Sequence, residues 1–503
     1  MLETYFRKIE ASAVYDVAQR TPLQLAIALS ERLNNQIYLK REDTQPVFSF
    51  KIRGAYNKIA GLSQSHQQRG VITASAGNHA QGVALAAQRL KIDALIVMPK
   101  TTPSIKIDSV RRRNARIELV GNTYDEAYVY AKEVAAKTGM TFVHPYNDPE
   151  VIAGQGTVAA EILEQLDTVD MIFVPVGGGG LLAGITAYVK YVKPSIKVIG
   201  VEPHDAACLH AAMAAKKRVV LDHVGLFADG VAVAQVGEEP YRVVKDLVDD
   251  VLTVNTDEIC AAIKDIFEDT RSVCEAAGAL AVAGMKNYIA QHNIKDLHIV
   301  AIDSGANINF DRLRHVAERA ELGEQREALF SATIPERPGS FRSFCDAIGL
   351  QGITEFSYRY ADNAAAHVFV GVKLRQGGQE FQALLQKLQQ LEYPVVDLSQ
   401  DEMAKVHIRY MVGGRSDSIQ NERLFRFEFP ERPGALLRFL NRMGERWNIS
   451  LFHYRNHGAA YGRALVGIQV PAEDQQELQK FLQDVAYKYT EESDNPAYQL
   501  FLR

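Results

Sequence analysis

The sequence predicts an α/β protein of two lobes, followed by a pair of smaller α+β modules. Two observations carry that expectation. From Ile37 to Ile302, apolar runs of strand length alternate with stretches of helical periodicity, which is the pattern of parallel sheets with helices on their faces. Beyond Leu322 the texture changes and a motif occurs twice, residues 329–341 recurring as 424–436, each with Pro-Glu-Arg-Pro-Gly at its centre.

In order, a helical stretch ends near Leu33, and a strand over 37–43 leads straight to Ser49-Phe50-Lys51-Ile52-Arg53-Gly54-Ala55. Strands at 71–73, 94–99 and 117–120 are each followed by a helix, over about 78–90, 104–112 and 124–137, and a strand follows at 141–143. A helix over about 151–166 precedes a strand at 171–176, and a helix from Leu181 precedes one at 197–201. Helices over about 256–269 and 275–291 lead to the last strand, 298–302. Ligands of such folds sit at the carboxyl ends of the strands. Each repeat then reads strand, Pro-Gly turn, helix, strand, strand, helix, strand, and a second match pairs 353–359 with 449–455. The expected division is 1–322, with a small lobe over roughly 45–147 inserted in a larger one; a linker over 323–328; modules over 329–400 and 423–503; and a connection over 401–422.

A formal charge of −5 on 503 residues gives no electrostatic case for a nucleic-acid or membrane partner. The tight basic run Arg111-Arg112-Arg113 reads as a solvated helix face. Cys208, Cys260, Cys274 and Cys345 stand far apart with no C-x-x-C spacing, against structural zinc or a disulfide framework and in keeping with a reducing compartment. The N-terminus lacks the pattern of a signal peptide, and the uncharged stretch 171–189 is broken by Pro175 and four glycines. The expected location is cytoplasmic.

Four turns carry chemistry. Lys51 lies between an aromatic and an aliphatic residue, with Gly54 expected to let the backbone turn; apolar surroundings lower a lysine pKa and favour Schiff-base chemistry. An amphipathic lysine whose head reaches water is the plainer alternative. Gly177-Gly178-Gly179-Gly180 follows a buried strand and opens a helix, so successive N–H groups can converge on a phosphate. The same residues fit a dinucleotide fingerprint, Gly178-x-Gly180-x-x-Ala183 with Glu202 downstream, so the pattern leaves two enzyme classes open. Ser75-Ala76-Gly77-Asn78-His79 offers backbone donors for a carboxylate, or simply a helix start capped by Ser75 or Asn78. Ser304-Gly305-Ala306-Asn307 ends the last strand.

Together these four stretches resemble the pyridoxal-phosphate enzymes of fold type II (the tryptophan synthase β-like fold), and among them the threonine dehydratases with tandem ACT-like regulatory domains. The resemblance covers nearly the whole chain. It implies pyridoxal 5′-phosphate held by Lys51 as a Schiff base beside Phe50, with its phosphate on Gly177, Gly178, Gly179, Gly180 and the N–H of Leu181. It further implies Asn78 at the phenolic oxygen, Ser304 at the pyridine nitrogen, and Ser75, Ala76, Gly77 and His79 at the substrate carboxylate. A serine hydroxyl keeps the ring a weaker electron sink than a carboxylate would, which favours prompt β-elimination. The implied reaction converts L-threonine, with L-serine as a possible second substrate, to 2-oxobutanoate and ammonia, Lys51 taking the α-proton and the cofactor phosphate protonating the departing hydroxyl. Racemases that resemble this loop carry a second serine where Ala76 stands, so dehydration without efficient racemisation is expected. The modules are expected to bind isoleucine as inhibitor and valine as antagonist near Phe356, Tyr358, Phe452 and Tyr454, in a homotetramer. A dehydrogenase leaves Lys51 and Ser304 without a role, and a non-catalytic amino-acid sensor requires an idle lysine.

Two departures stand out. Glu275-Ala276-Ala277-Gly278 lacks the proline and serine common at that turn in the family, which is expected to loosen it. Cys208 stands where relatives with a metal site carry an aspartate beside Glu202, so no divalent metal is expected.

Overall fold

The computed structural model describes residues 1–349, 351–360, 365–375, 377–413, 416, 419–430, 435–455 and 461–502. The chain forms two compact units, Met1–Gly323 and Glu324–Arg503.

The first unit holds two sheets. In the larger, the strands lie in the order Leu23–Leu25, Gln36–Arg41, His298–Asp303, Met171–Pro175, Lys197–Pro203 and Asp250–Val254. Every neighbouring pair is parallel except the first. The smaller sheet is wholly parallel, in the order Arg116–Leu119, Ala94–Met98, Val71–Ala74, Thr141–Phe142. The inner strands are apolar throughout rather than alternating because helices cover both faces; Met171–Pro175 and Ala94–Met98 are buried at every residue. The connections Met171–Pro175 to Lys197–Pro203 and Val71–Ala74 to Ala94–Met98 each run through one helix, Gly180–Val192 and Asn78–Leu90.

Three details differ from the sequence reading. The strand into the Lys51 region ends at Arg41, and Glu42–Thr44 forms a short 3-10 turn. The turn aims Glu42 at Arg53 and Asp43 at Arg41, so the charges that end the strand are spent on buried ion pairs. Gly54 does not turn the chain, since Lys51–Ala60 is a continuous helix. A Cβ at Gly54 would stand 2.6 Å from the Val151 carbonyl oxygen, and one at Gly154 would stand 2.6 Å from the Gly54 Cα. The glycine pair therefore lets helix Lys51–Ala60 press against helix Pro149–Gln165. Strand Asp250–Val254 and helices Leu2–Glu10, Gln64–Arg69, Cys208–Ala215, Glu238–Val244 and Arg312–Gly323 complete the unit without having been expected from the sequence.

A buried ion network fixes the Lys51 helix. Arg53 donates to Glu42 at 2.8 and 2.7 Å and to Glu161 at 2.6 Å, and Lys40 meets Glu161 at 2.6 Å. All four side chains are fully buried. Burial alone would lower Arg53 and raise Glu161, yet their mutual charges move each the other way.

The second unit is a single eight-stranded sheet built from the two repeats. The first copy runs Glu327–Pro335, helix Ser340–Ile348, Ile353–Arg359, Ala365–Lys373, helix Gly378–Gln390, Val395–Asp397. The second runs Glu422–Pro430, helix Ala435–Met443, Asn448–Arg455, Tyr461–Gln469, helix Gln475–Val485, Lys488–Glu491. The copies join through antiparallel pairing of Ile353–Arg359 with Asn448–Arg455. The second Pro-Gly turn, Pro433-Gly434, lies outside the described residues. No helix among the described residues is long and apolar enough to cross a membrane.

Candidate active site

Lys51 is the first residue of its helix, two positions from a stretch that pairs with the last strand's exit. Ser49 bridges Gly305, the Phe50 N–H donates to the Ser304 carbonyl at 3.3 Å, and the Ala306 N–H donates to the Phe48 carbonyl at 2.9 Å. Lys51 and Ser304, over two hundred and fifty residues apart in sequence, are thus joined by main-chain bonds. The Lys51 amine lies 5.0 Å from the centre of the Phe50 ring. Burial lowers its pKa to about 8, and the Glu275 carboxyl opposes the shift.

The loop after Val71–Ala74 comes next. Helix Asn78–Leu90 has Gly77 as its N-cap and no side-chain cap. The capped-start alternative therefore fails: the Ser75 hydroxyl accepts from the Gly77 N–H at 3.3 Å, and the first-turn amides are left for a ligand. His79 is buried with Nε2 3.0 Å from the Val143 carbonyl and Nδ1 without a partner. Burial lowers its pKa to about 3, so the ring is neutral and Nδ1 is an open acceptor. Ala76 is half-buried and presents only a methyl group.

Asn78 connects this loop to the opposite side. Its Nδ2 donates to Glu275 Oε1 at 2.6 Å, and its Oδ1 accepts from Asn307 Nδ2 at 2.7 Å. The Glu275 N–H in turn donates to the Gly305 carbonyl at 3.0 Å. The turn expected to be loose is closely packed: Ala276 and Ala277 are buried, and the Gly278 N–H donates to the Glu275 carbonyl at 2.9 Å. The Ser304 hydroxyl is buried and, among the described residues, donates to the Ala277 carbonyl alone, at 3.4 Å. Beside it, burial and Asp43 push Asp303 well above the carboxylate range, against the pull of the Arg41 guanidinium 3.7 Å away.

The glycine run leads into helix Gly180–Val192, whose N-cap Gly179 takes φ 89° and supplies no side-chain cap. A side chain at Gly178 would fall inside the ring of Tyr146, and a Cβ at Gly180 would stand 3.0 Å from the Tyr146 Cβ. The run is therefore a main-chain cradle walled by one aromatic. The cradle joins the Asn78 cluster through residues 228–231. A Cβ at Gly177 would stand 2.9 Å from the Val231 Cα, while one at the adjacent Gly230 would stand 3.3 Å from Glu275 Oε1. Next to Gly230, Asp229 Oδ2 lies 2.5 Å from Lys106 Nζ.

These residues fit pyridoxal phosphate. An uncapped glycine cradle suits the phosphate, a lysine with a lowered pKa suits the aldehyde, and a neutral hydroxyl at Ser304 suits the ring nitrogen. Glu202 is committed elsewhere: it accepts the N–H groups of Leu209 and His210 at 2.8 and 2.7 Å, while Cys208 Sγ lies 3.5 Å from the Gly177 carbonyl. Among the described residues no group of three or more His, Cys, Asp or Glu side chains is placed to hold a metal ion. In the sequence Asn307 reads only as part of a turn. The sequence reading missed Tyr146, Asp229 and Lys106 altogether; their partners lie tens to over a hundred residues away, and no local pattern marks them.

In the second unit, Phe356 lies opposite Tyr454, and Tyr358 opposite Phe452, across the seam between the copies. All four are buried; Phe356 and Phe452 stack edge-to-face at 5.6 Å. They form the inner wall of the seam rather than an open surface. Phe341, whose ring contacts Phe356, Tyr358 and Phe452, carries that wall to a cavity also lined by Arg337, Leu440, Met443, Trp447 and Asn448.

Known proteins match both units. Residues 14–305 match the family described as pyridoxal-phosphate dependent enzyme, and 318–408 and 413–502 match the C-terminal regulatory domain of threonine dehydratase. The chain is 56% identical to the biosynthetic L-threonine dehydratase of Burkholderia multivorans over 99% of both chains. It is 53% identical to that of Escherichia coli, over 99% of this chain and 97% of the other. The processed form of threonine deaminase isoform 2 from Solanum lycopersicum matches 63% of this chain and 93% of its own, at 50% identity and a TM-score of 0.63. A maize serine racemase matches 62% and 96%, at 33% identity and a TM-score of 0.58. Fold and site thus define a pyridoxal-phosphate-dependent lyase of fold type II. Within that class the chain belongs to the family of biosynthetic threonine dehydratases that carry the C-terminal regulatory domain.

Proposed function

We propose that this enzyme converts L-threonine to 2-oxobutanoate and ammonia at the first committed step toward isoleucine, and that isoleucine inhibits it through the second unit. The observation that carries the catalytic reading is the joining of Lys51, with its lowered pKa, to Ser304, Asn78 and the glycine cradle in one site. When bound, pyridoxal phosphate supplies the electron sink that acidifies the α-carbon of an attached amino acid. The uncapped amides that follow Gly77 orient the substrate carboxylate, and neutral His79, anchored on the Val143 carbonyl, holds the same loop. Lys51 Nζ takes the α-proton; a pKa of about 8 leaves an appreciable neutral fraction near neutrality. The β-hydroxyl leaves with a proton as water, balancing the α-proton taken, and the resulting enamine tautomerises and takes up one water to give 2-oxobutanoate and ammonia. Ala76 has no proton to return to the opposite face, so racemisation is slow. Lys51→Ala should abolish turnover; wild-type turnover in that variant would refute the reading.

The seam cavity supports regulation by a branched-chain amino acid. Arg337 offers a cation for a carboxylate, Asn448 a polar contact, and Phe341, Leu440 and Met443 an apolar wall. Isoleucine and valine differ by one methylene, worth about 0.8 kcal/mol of burial, so opposite effects require each to favour a different state of the protein. A cytoplasmic homotetramer belongs to the same reading and rests on the resemblance to the dehydratases; sedimentation should give one species of four chains.

A further inference from the structure

Asn78 is expected to donate a hydrogen bond to the cofactor's phenolic oxygen, and a side-chain amide can do so only if its nitrogen faces the right way. Carbonyl oxygen and amide nitrogen are nearly equal in size, so the orientation must be enforced by partners. Here the enforcement can be traced from a backbone group outward. Asn307 Nδ2 donates to the Val47 carbonyl at 2.8 Å, an atom that can only accept. The same nitrogen donates to Asn78 at 2.7 Å, so Asn78 must present Oδ1 on that side and Nδ2 on the other. On that other side Glu275 Oε1 accepts from Nδ2 at 2.6 Å, the one acceptor of Nδ2 among the described residues. Asn78 Nδ2 has two protons, and Glu275 takes one.

Glu275 itself is held for this purpose. It is 5% exposed, its N–H is bonded to the Gly305 carbonyl, and a Cβ at Gly305 or Gly230 would stand only 2.9 or 3.3 Å from Oε1. Burial and the Asp229 charge push its pKa up to about 7, while Asn78, Lys106 and Lys51 pull it back. A carboxyl oxygen accepts the Asn78 proton in either protonation state.

We propose that Glu275 is a positioning residue for the elimination: acting through Asn78, it turns the second Nδ2 proton toward the cofactor's phenolic oxygen, with Asn307 and the Val47 carbonyl as the opposing stop. The inference rests on the cofactor reading above and adds to it a residue whose side chain acts only through another.

The test compares holoenzymes by visible spectrum and steady-state kinetics. Glu275→Ala leaves Nδ2 without its acceptor and frees the amide to rotate; the visible band should shift, and kcat should fall by about tenfold or more with KM changed by less than about threefold. Glu275→Gln keeps an acceptor oxygen in the same place and should restore the wild-type band and kcat to within about threefold. Asn307→Ala removes the opposing stop and should shift the band in the same direction as Glu275→Ala. If Glu275→Ala fails to fold or to bind cofactor, the Asn307→Ala spectrum decides alone. An unmoved band in the decisive variant overturns the inference, as does a Glu275→Gln enzyme as impaired as Glu275→Ala, since charge rather than orientation would then be the cause. Absence of any visible band in wild type would instead overturn the cofactor reading itself.

Discussion

In the proposed reaction Lys51 acts as a base, a role its surroundings favour because they stabilise an ammonium poorly. Burial lowers its pKa to about 8, and Glu275 limits the fall. Below that pH the amine is increasingly protonated and unable to attack an aldehyde; above it the neutral form dominates. The rate at which apoenzyme captures pyridoxal phosphate should therefore rise with pH and level off above about 8, measured by stopped-flow absorbance. A rate still climbing steeply toward pH 10 would mean an ordinary solvated lysine. Ala76 makes a second prediction at this scale. L-serine offered to the enzyme should give ammonia far faster than D-serine, by chiral chromatography, and Ala76→Ser should raise the racemised fraction. The residues themselves were readable in the sequence, but their states were not. Nothing in the local sequence says that His79 is neutral, or that Glu275 reaches Asn78 across 197 positions.

At the scale of elements, glycine governs two of the helices that carry the site. Helix Gly180–Val192 begins at a cradle that tolerates no side chain because the Tyr146 ring already fills the space. Gly178→Ala must push that ring aside, and it should weaken pyridoxal-phosphate affinity by about tenfold or more, read by equilibrium titration of the apoenzyme. Helix Lys51–Ala60 is set by Gly54 on one side and by the Arg53–Glu42–Glu161–Lys40 network on another. Removing one partner of a buried ion pair leaves the other charges uncompensated. Glu161→Ala should therefore cost about 3–5 kcal/mol of unfolding free energy, measured by denaturant titration. The sequence announced the alternation of strands and helices because buried parallel strands read as apolar runs. It misplaced the role of Gly54, since a glycine in a tight helix contact looks the same locally as one in a turn. It also missed Asp250–Val254, an edge strand whose burial is only partial.

The whole molecule is two units with separate cores, one for the chemistry and one built from a duplicated module. The duplication was visible in the sequence because both copies keep the same strands and turn. The eight-stranded sheet that unites them was not, because antiparallel pairing of Ile353–Arg359 with Asn448–Arg455 is a contact of distant segments. Phe356, Tyr358, Phe452 and Tyr454 are buried in that seam, and Phe341 joins the first three to the cavity proposed for the effector. Deleting residues 324–503 should leave a threonine-dehydrating enzyme that isoleucine no longer inhibits, as initial-rate assays would show; retained inhibition would place the effector site in the first unit. The most direct test of the catalytic reading is reduction of the purified holoenzyme with borohydride followed by peptide mapping. The protein should be yellow, and the reduced chromophore should be found on Lys51 alone. A colourless protein that accepts no pyridoxal phosphate, or a label fixed on another lysine, would contradict it.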